Sequence, residues 1–230
     1  MGSVAKRQLS AGISAENNHD RRRRLARRAR RVNLSIPTEL ADALLAYLEL
    51  LALWNSKINL TALDDPDAAI DRLILEPLLA ARRVPEGASV IDIGSGGGSP
   101  AIPLKLAAPR IKLWMVESKT RKSAFLREAI RQLDLRESFV ETKRFEELLS
   151  LPTLHESMDV VTIRAVRVES ATLLSLQAFL RPGGELFLFR GSGDGGIDYI
   201  PPPMKLEAEE PLVESLRSRL VRIQKVAIHA

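Results

Sequence analysis

Four of the five residues from Gly94 to Gly98 are glycine, and they follow directly on the short apolar run of residues 89–93, "SVIDI". Each glycine in a helix interior costs roughly 1 kcal/mol relative to alanine, so the segment reads as a strand ending in a tightly turning loop. Glycine at such a place permits left-handed backbone and lets main-chain amides approach a ligand closely. The residues that follow, "SPAIPLKLAA", return to helical spacing. Strand, glycine loop and helix in that order define one unit of an α/β fold.

The unit recurs. Short apolar runs "IKLWMVES", "SFVETKR", "DVVTIRA" and "GELFLFRG" are separated by the helical segments "SKTRKSAFLREAIRQLDL", "RFEELLSLP" and "SATLLSLQAFL". Near-continuous apolar strands alternating with helices predict a doubly wound, mostly parallel sheet covered on both faces. A closing pair, "MKLEAEE" and "RLVRIQKVAIH", predicts an antiparallel hairpin or a long connection. Ahead of the sheet, Leu40, Leu44, Tyr47, Leu48 and Leu51 recur at helical spacing after Pro37. A second helix is predicted from Asp65, which caps it, through Pro66 in its first position, with a kink or division at Pro77. The expected organisation is a single domain over residues 36–230, with a helical N-terminal part (36–82) and a Rossmann-like core (88–230).

Residues 1–31 hold ten Lys and Arg against Glu16 and Asp20, a net +8, whereas the rest of the 230-residue chain carries 24 basic and 27 acidic residues, a net −3. The overall +5 therefore belongs to the stretch that ends in "RRRRLARRARR". Rich in Arg, Ser, Asn and Gly, residues 1–35 are expected to be a disordered tail. Such a tail is either a mobile arm gripping phosphates without reading bases or a dispensable solvated extension. The absence of Cys excludes disulfides, cysteine-ligated zinc and thiolate nucleophiles, and no metal site is expected. No apolar run approaches the roughly 18 residues of a bilayer span, and the basic N-terminus lacks the apolar region of a signal peptide. A cytoplasmic protein is expected.

The loop spacing narrows the ligand. Gly94, Gly96 and Gly98 form G-x-G-x-G, and the place where a dinucleotide fingerprint needs its third glycine to seat a pyrophosphate is Ser99. The glycines alone are also compatible with a plain strand-to-helix turn. S-adenosylmethionine has no phosphates and needs no such cradle. Asp92 offers a carboxylate to its cationic amino acid, and Glu117, 23 positions after Gly94 at the end of the next strand, offers one to the ribose hydroxyls. With a methyl as the transferred group, pyrimidine C5 is a poor acceptor because no Cys is present to activate the ring. Exocyclic amines are disfavoured as well, since "VTIRAVRV" replaces the Asp/Asn-Pro-Pro-aromatic motif after the fourth strand. A ring nitrogen such as guanine N7 exposes an unprotonated lone pair and requires no general base; orientation alone supplies roughly 7 to 11 kcal/mol.

In order, "LWNSKINLTALDDP", "VIDIGSGGGSPAIPLKL", "VESKTRKSAFLREAIRQLDL", "RFEE", "DVVTIRAV" and "LRPGGELFLFRG" resemble the bacterial small-subunit (16S) ribosomal RNA methyltransferase G family, also called glucose-inhibited division protein B. The resemblance covers residues 36–230. It implies the class I S-adenosylmethionine-dependent methyltransferase fold, S-adenosyl-L-methionine as cofactor, and guanine N7 of small-subunit ribosomal RNA or a pre-ribosomal particle as acceptor, with a monomeric enzyme expected. Carried over residue by residue, it places Gly94, Gly96, Gly98 and Ser99 along the methionine side of the cofactor and Glu117 at the ribose. Phe145 and Glu146 meet the adenine end. Arg164 stands beside the methyl and target base as a supporting residue, with a structural ion pair to a helix carboxylate as its alternative. Lys119, Arg121, Lys122 and Arg127 are candidates for phosphate contact. Leu73, Glu76 and Pro77 stand where the family usually has His, Asp and Ser; Ser99 replaces a bulky apolar residue and Arg190 a Lys. His19, His155 and His229 lie in none of these motifs. The competing readings are a paralogue with a small-molecule acceptor and a non-catalytic RNA-binding protein that retains the fold.

Overall fold

The computed structural model describes residues 18–62, 65–164, 168–194, 197 and 199–227. Helices α1 (Asn18–Arg31) and α2 (Thr38–Asn55) lead into α3 (Pro66–Ile70), a π-helical turn (Asp71–Leu75) and α4 (Glu76–Ala81). The alternating core follows as β1 (Ser89–Ile93), α5 (Ala101–Ala107), β2 (Lys112–Val116), α6 (Thr120–Gln132), β3 (Ser138–Glu141), α7 (Phe145–Leu148), β4 (Met158–Arg164), α8 (Ser170–Leu176) and β5 (Leu180–Arg190). Strands β6 (Met204–Pro211) and β7 (Arg219–Lys225) close the chain. The seven strands form one sheet in the order β3-β2-β1-β4-β5-β7-β6. β1 to β5 pair in parallel, and β7 runs antiparallel between β5 and β6. The expected mostly parallel sheet with a terminal antiparallel hairpin is thus what the chain builds.

Strand side chains alternate between two faces, and each face buries its own apolar cluster. Val90, Leu113, Met115, Val160, Phe187 and Phe189 pack under α2 to α6, whereas Ile91, Ile93, Val116, Val161, Ile163 and Leu188 pack under α7 and α8. The N-terminal helices therefore belong to the first face of the sheet rather than to a separate unit. Asp65 caps α3 as expected, its carboxylate accepting from Asp67 N and Ala68 N at 3.2 and 3.1 Å. The helix divides ahead of Pro77, at the π turn, because Pro77 has no N–H to donate to the Leu73 carbonyl four residues earlier.

The reading of residues 1–35 as a disordered tail is corrected for residues 18–35: residues 18–31 are the helix α1, and Val32 and Leu34 after it pack against the first-face core, while residues 1–17 lie outside the described residues. Leu25 and Ala29, four apart and hence on one stripe, are buried in the first-face core. The arginines flanking that stripe find acids on neighbouring helices: Arg21 pairs with Glu49, Arg24 with Asp67, and Arg28 with Asp71. Arg28 Nε donates to Asp71 Oδ1 at 2.8 Å in a buried contact, and Ser215 Oγ donates to Asp71 Oδ2 at 2.6 Å. Asp71 raises the affinity of the Arg28 guanidinium for its proton. Composition alone misjudges this segment because its counterions lie far along the chain. Among the described residues no helix is long and apolar enough to cross a membrane.

Candidate active site

The strand order reverses between β1 and β4, the two strands from which the chain winds in opposite directions. In an open parallel sheet the crevice at the carboxyl ends of those strands is where ligands bind, and the residues singled out from the sequence converge there. The loop after β1 is anchored by Gly94 N and Ser95 N, which both donate to Val116 O, at 2.9 and 3.0 Å. Gly96 N donates to Glu117 Oε2 at 3.1 Å, and Lys119 N to Glu117 Oε1 at 2.8 Å. The Glu117 carboxylate is thereby fixed beside the glycine loop.

The three glycines divide by role. Gly94, Gly96 and Gly98 all have left-handed φ, at +73°, +49° and +84°. A Cβ on Gly94 would meet nothing within 4 Å, and one on Gly96 only Gly94 O at 3.6 Å, so both border open space. A Cβ on Gly98 would collide with the side chain of Ile102 on α5. Gly98 therefore permits the helix to pack against the loop, a packing role beside the cofactor lining expected of it. The neighbouring Gly97 carbonyl accepts a hydrogen bond from the Tyr47 hydroxyl at 2.7 Å. Tyr47, fully buried on α2, ties the N-terminal helices to the loop, and burial pushes its phenol pKa up. Helical spacing marks Tyr47 only as an apolar position; a hydroxyl amid leucines is the signal that it has a polar partner.

Beneath the loop runs a polar stripe on the sheet face covered by α2. Asp92 on β1 pairs across with Thr162 on β4, and Thr162 Oγ1 donates to Asp92 Oδ1 at 2.6 Å. Asp92 is 1% exposed, and its Oδ2 has no hydrogen-bond partner among the described residues. Burial pushes its pKa up to about 6, against the lowering influence of the Ser95 hydroxyl, which donates to the Asp92 main-chain carbonyl at 3.0 Å, of the Thr162 hydroxyl and of the positive charge of Arg164. Two residues beyond Thr162, Arg164 forms a buried ion pair with Glu76 of α4 and stacks over the Phe189 ring at 4.6 Å. The helix-carboxylate pair is thus present, with Glu76 standing where the family usually has Asp. Arg164 Nε and Nη2 remain buried without a partner among the described residues, and burial lowers its pKa.

Other expected positions are distributed less simply. The Ser99 hydroxyl donates to Leu73 O at 3.0 Å, the carbonyl that Pro77 leaves without its helical donor. The two departures from the family pattern, Pro77 and Ser99, therefore bear on the same carbonyl. Phe145, at the start of α7 after β3, packs partly buried against the second-face core, and Glu146 beside it is exposed. Lys119 and Arg121 are exposed, Lys122 is half-buried, and Arg127 donates to Val140 O and Thr142 Oγ1 at 3.3 and 2.7 Å, which draws it back onto its own domain. Residues 165–167 of "VTIRAVRV" and His229 lie outside the described residues.

Donors and space together suit S-adenosylmethionine: open room over Gly94 and Gly96, an anchored carboxylate at Glu117 for vicinal hydroxyls, and an unpartnered buried carboxylate oxygen at Asp92 for an ammonium. Among solved structures, the fold is similar to a SAM dependent methyltransferase from Aquifex aeolicus, with a TM-score of 0.54 and 17% identity over 70% of this chain and 94% of that one. It is equally similar to the cyclase SpnF, at a TM-score of 0.54 and 15% identity over 70% and 83% of the two chains, so shape alone does not name a reaction. The architecture is that of the class I, Rossmann-like methyltransferases. A family model described as rRNA small subunit methyltransferase G matches residues 40–195. A curated relative, the Ribosomal RNA small subunit methyltransferase G of Xanthomonas oryzae pv. oryzae, is 38% identical over 157 residues, covering 68% of this chain and 72% of the relative. The chain belongs to the rRNA small subunit methyltransferase G family.

Proposed function

We propose that this protein transfers the methyl group of S-adenosylmethionine to N7 of a guanine in small-subunit ribosomal RNA. The observation that carries the reading is the pairing, at the β1/β4 switch point, of a glycine loop facing open space with a buried carboxylate whose Oδ2 lacks a partner among the described residues. Membership of the family, whose relatives are named for ribosomal RNA methylation, supports the RNA acceptor.

When bound, the cofactor supplies a methyl group on a cationic sulfur. Glu117 accepts from the ribose hydroxyls without losing its hold on the Lys119 amide, and Asp92 offers Oδ2 to the ammonium. Phe145 and Glu146 border the adenine end. Arg164, held by Glu76 and Phe189, directs Nε and Nη2 as hydrogen-bond donors toward acceptor atoms of the incoming base. Methyl transfer to a guanine N7, whose lone pair carries no proton, would ask no residue of this crevice to act as a base. No proton moves in that step, so the crevice needs alignment and charge placement rather than a general base.

Incubation of the protein with labelled S-adenosylmethionine and small-subunit ribosomal RNA from cells lacking the gene tests the reading. Label is expected in the RNA, at a site where reduction and aniline treatment cleave the chain, as they do at N7-methylguanosine. Label at a position resistant to that treatment, or none in either free or assembled RNA, contradicts it.

A further inference from the structure

We infer that α1 is a two-faced element, one face locked to the catalytic domain and the other binding the sugar-phosphate backbone of the RNA substrate. The inference rests on the RNA-methylating function proposed above. On the inner face Arg21, Arg24 and Arg28 are matched to Glu49, Asp67 and Asp71. On the outer face His19, Arg23, Arg27 and Arg30 follow at helical spacing of four, four and three, the pattern of a single stripe, and exposed Arg31, four after Arg27, stands at its edge.

Arg23, Arg30 and Arg31 are exposed and make no ion pair among the described residues; Arg27 is 58% exposed at its side chain and reaches Asp67 only at 3.3 Å. Like charges one turn apart weaken an isolated helix, and the burial of Leu25 and Ala29 holds this one in place. A polyanion is the partner that relieves such a stripe, and the planar guanidinium fork matches phosphate oxygens. Residues 32–230, at net −3, provide no comparable general attraction.

The position of the stripe is fixed with respect to the methyl-transfer crevice. Arg28 grips Asp71, the first residue of the π turn, and two residues on the Leu73 carbonyl is bonded to Ser99 at the end of the glycine loop. RNA held on α1 is thus held at a set distance from that loop.

The test compares three triple variants of the full chain: Arg23→Gln/Arg30→Gln/Arg31→Gln, the same positions changed to Lys, and Lys112→Gln/Arg136→Gln/Lys205→Gln as an equal charge change elsewhere on the exposed surface. Binding of deproteinised small-subunit ribosomal RNA is measured from about 50 to about 200 mM salt, with thermal midpoints recorded for each protein. The first variant is expected to melt like the wild type, because the substituted arginines hold no acid. Its log affinity against log salt should be shallower by roughly 2, since each phosphate that the protein ceases to neutralise removes about 0.7 to 0.9 from the slope. The Lys variant should recover most of the slope, and the third should keep it.

Equal slopes for wild type and the first variant, or equal flattening by the third, overturn the inference. Failure of the wild type to methylate the RNA overturns the proposed function instead, and is read in a separate assay.

Discussion

Asp92 lies under the glycine loop with one carboxylate oxygen held by Thr162 and the other unpartnered among the described residues. Its pKa is pushed up to about 6 by burial, against about 3.9 in an unfolded chain. A carboxyl group whose folded pKa is the higher one stabilises the fold below the unfolded value, and that stabilisation is lost as pH rises through about 6. Between pH 4 and 7 the unfolding free energy of the wild type should fall relative to Asp92→Asn by roughly 2 to 3 kcal/mol, measured by urea titration. Saturating S-adenosylmethionine should reduce that fall, because an ammonium near Oδ2 favours the ionised form. A pH-independent difference between the two proteins would show that Asp92 is ionised, or solvated, throughout. Asp92 and Glu117 are legible in the sequence because each stands within one residue of a strand end beside the loop. Thr162 and Tyr47 are not, since their polar partners are set by strand register and by a helix packing across the sheet.

At the scale of elements, Ser99 and Pro77 show how two separate departures from a family pattern become one feature. Pro77 removes the N–H that would meet Leu73 O, and the Ser99 hydroxyl meets it from the loop. Ser99→Ala should cost about 1 to 3 kcal/mol by leaving that carbonyl unsatisfied. The cost should shrink when Pro77→Ala restores the helical N–H, giving a coupling of about 1 kcal/mol in a double-mutant cycle. Additive effects in denaturant melts would mean that the two positions act independently. The alternation of strands and helices, the Asp65 cap and the closing hairpin are all readable from periodicity and turn chemistry. Helix α1 is not, because eight arginines in fourteen residues read as an unfolded polycation until Glu49, Asp67 and Asp71 are brought beside them.

For the molecule as a whole, the topology does what periodicity implies: parallel strands β1 to β5 carry their carboxyl ends to one edge, and the reversal between β1 and β4 opens the crevice there. Which acceptor enters it depends on the chemistry at that edge. Alignment alone, without a base, is proposed to direct the methyl group to guanine N7. Single-turnover transfer onto small-subunit RNA transcribed with 7-deazaguanosine in place of guanosine tests it most directly, because only the attacking nitrogen is replaced. Methyl incorporation into the ordinary transcript and none above background into the 7-deaza transcript is the predicted result; equal incorporation into both would contradict it.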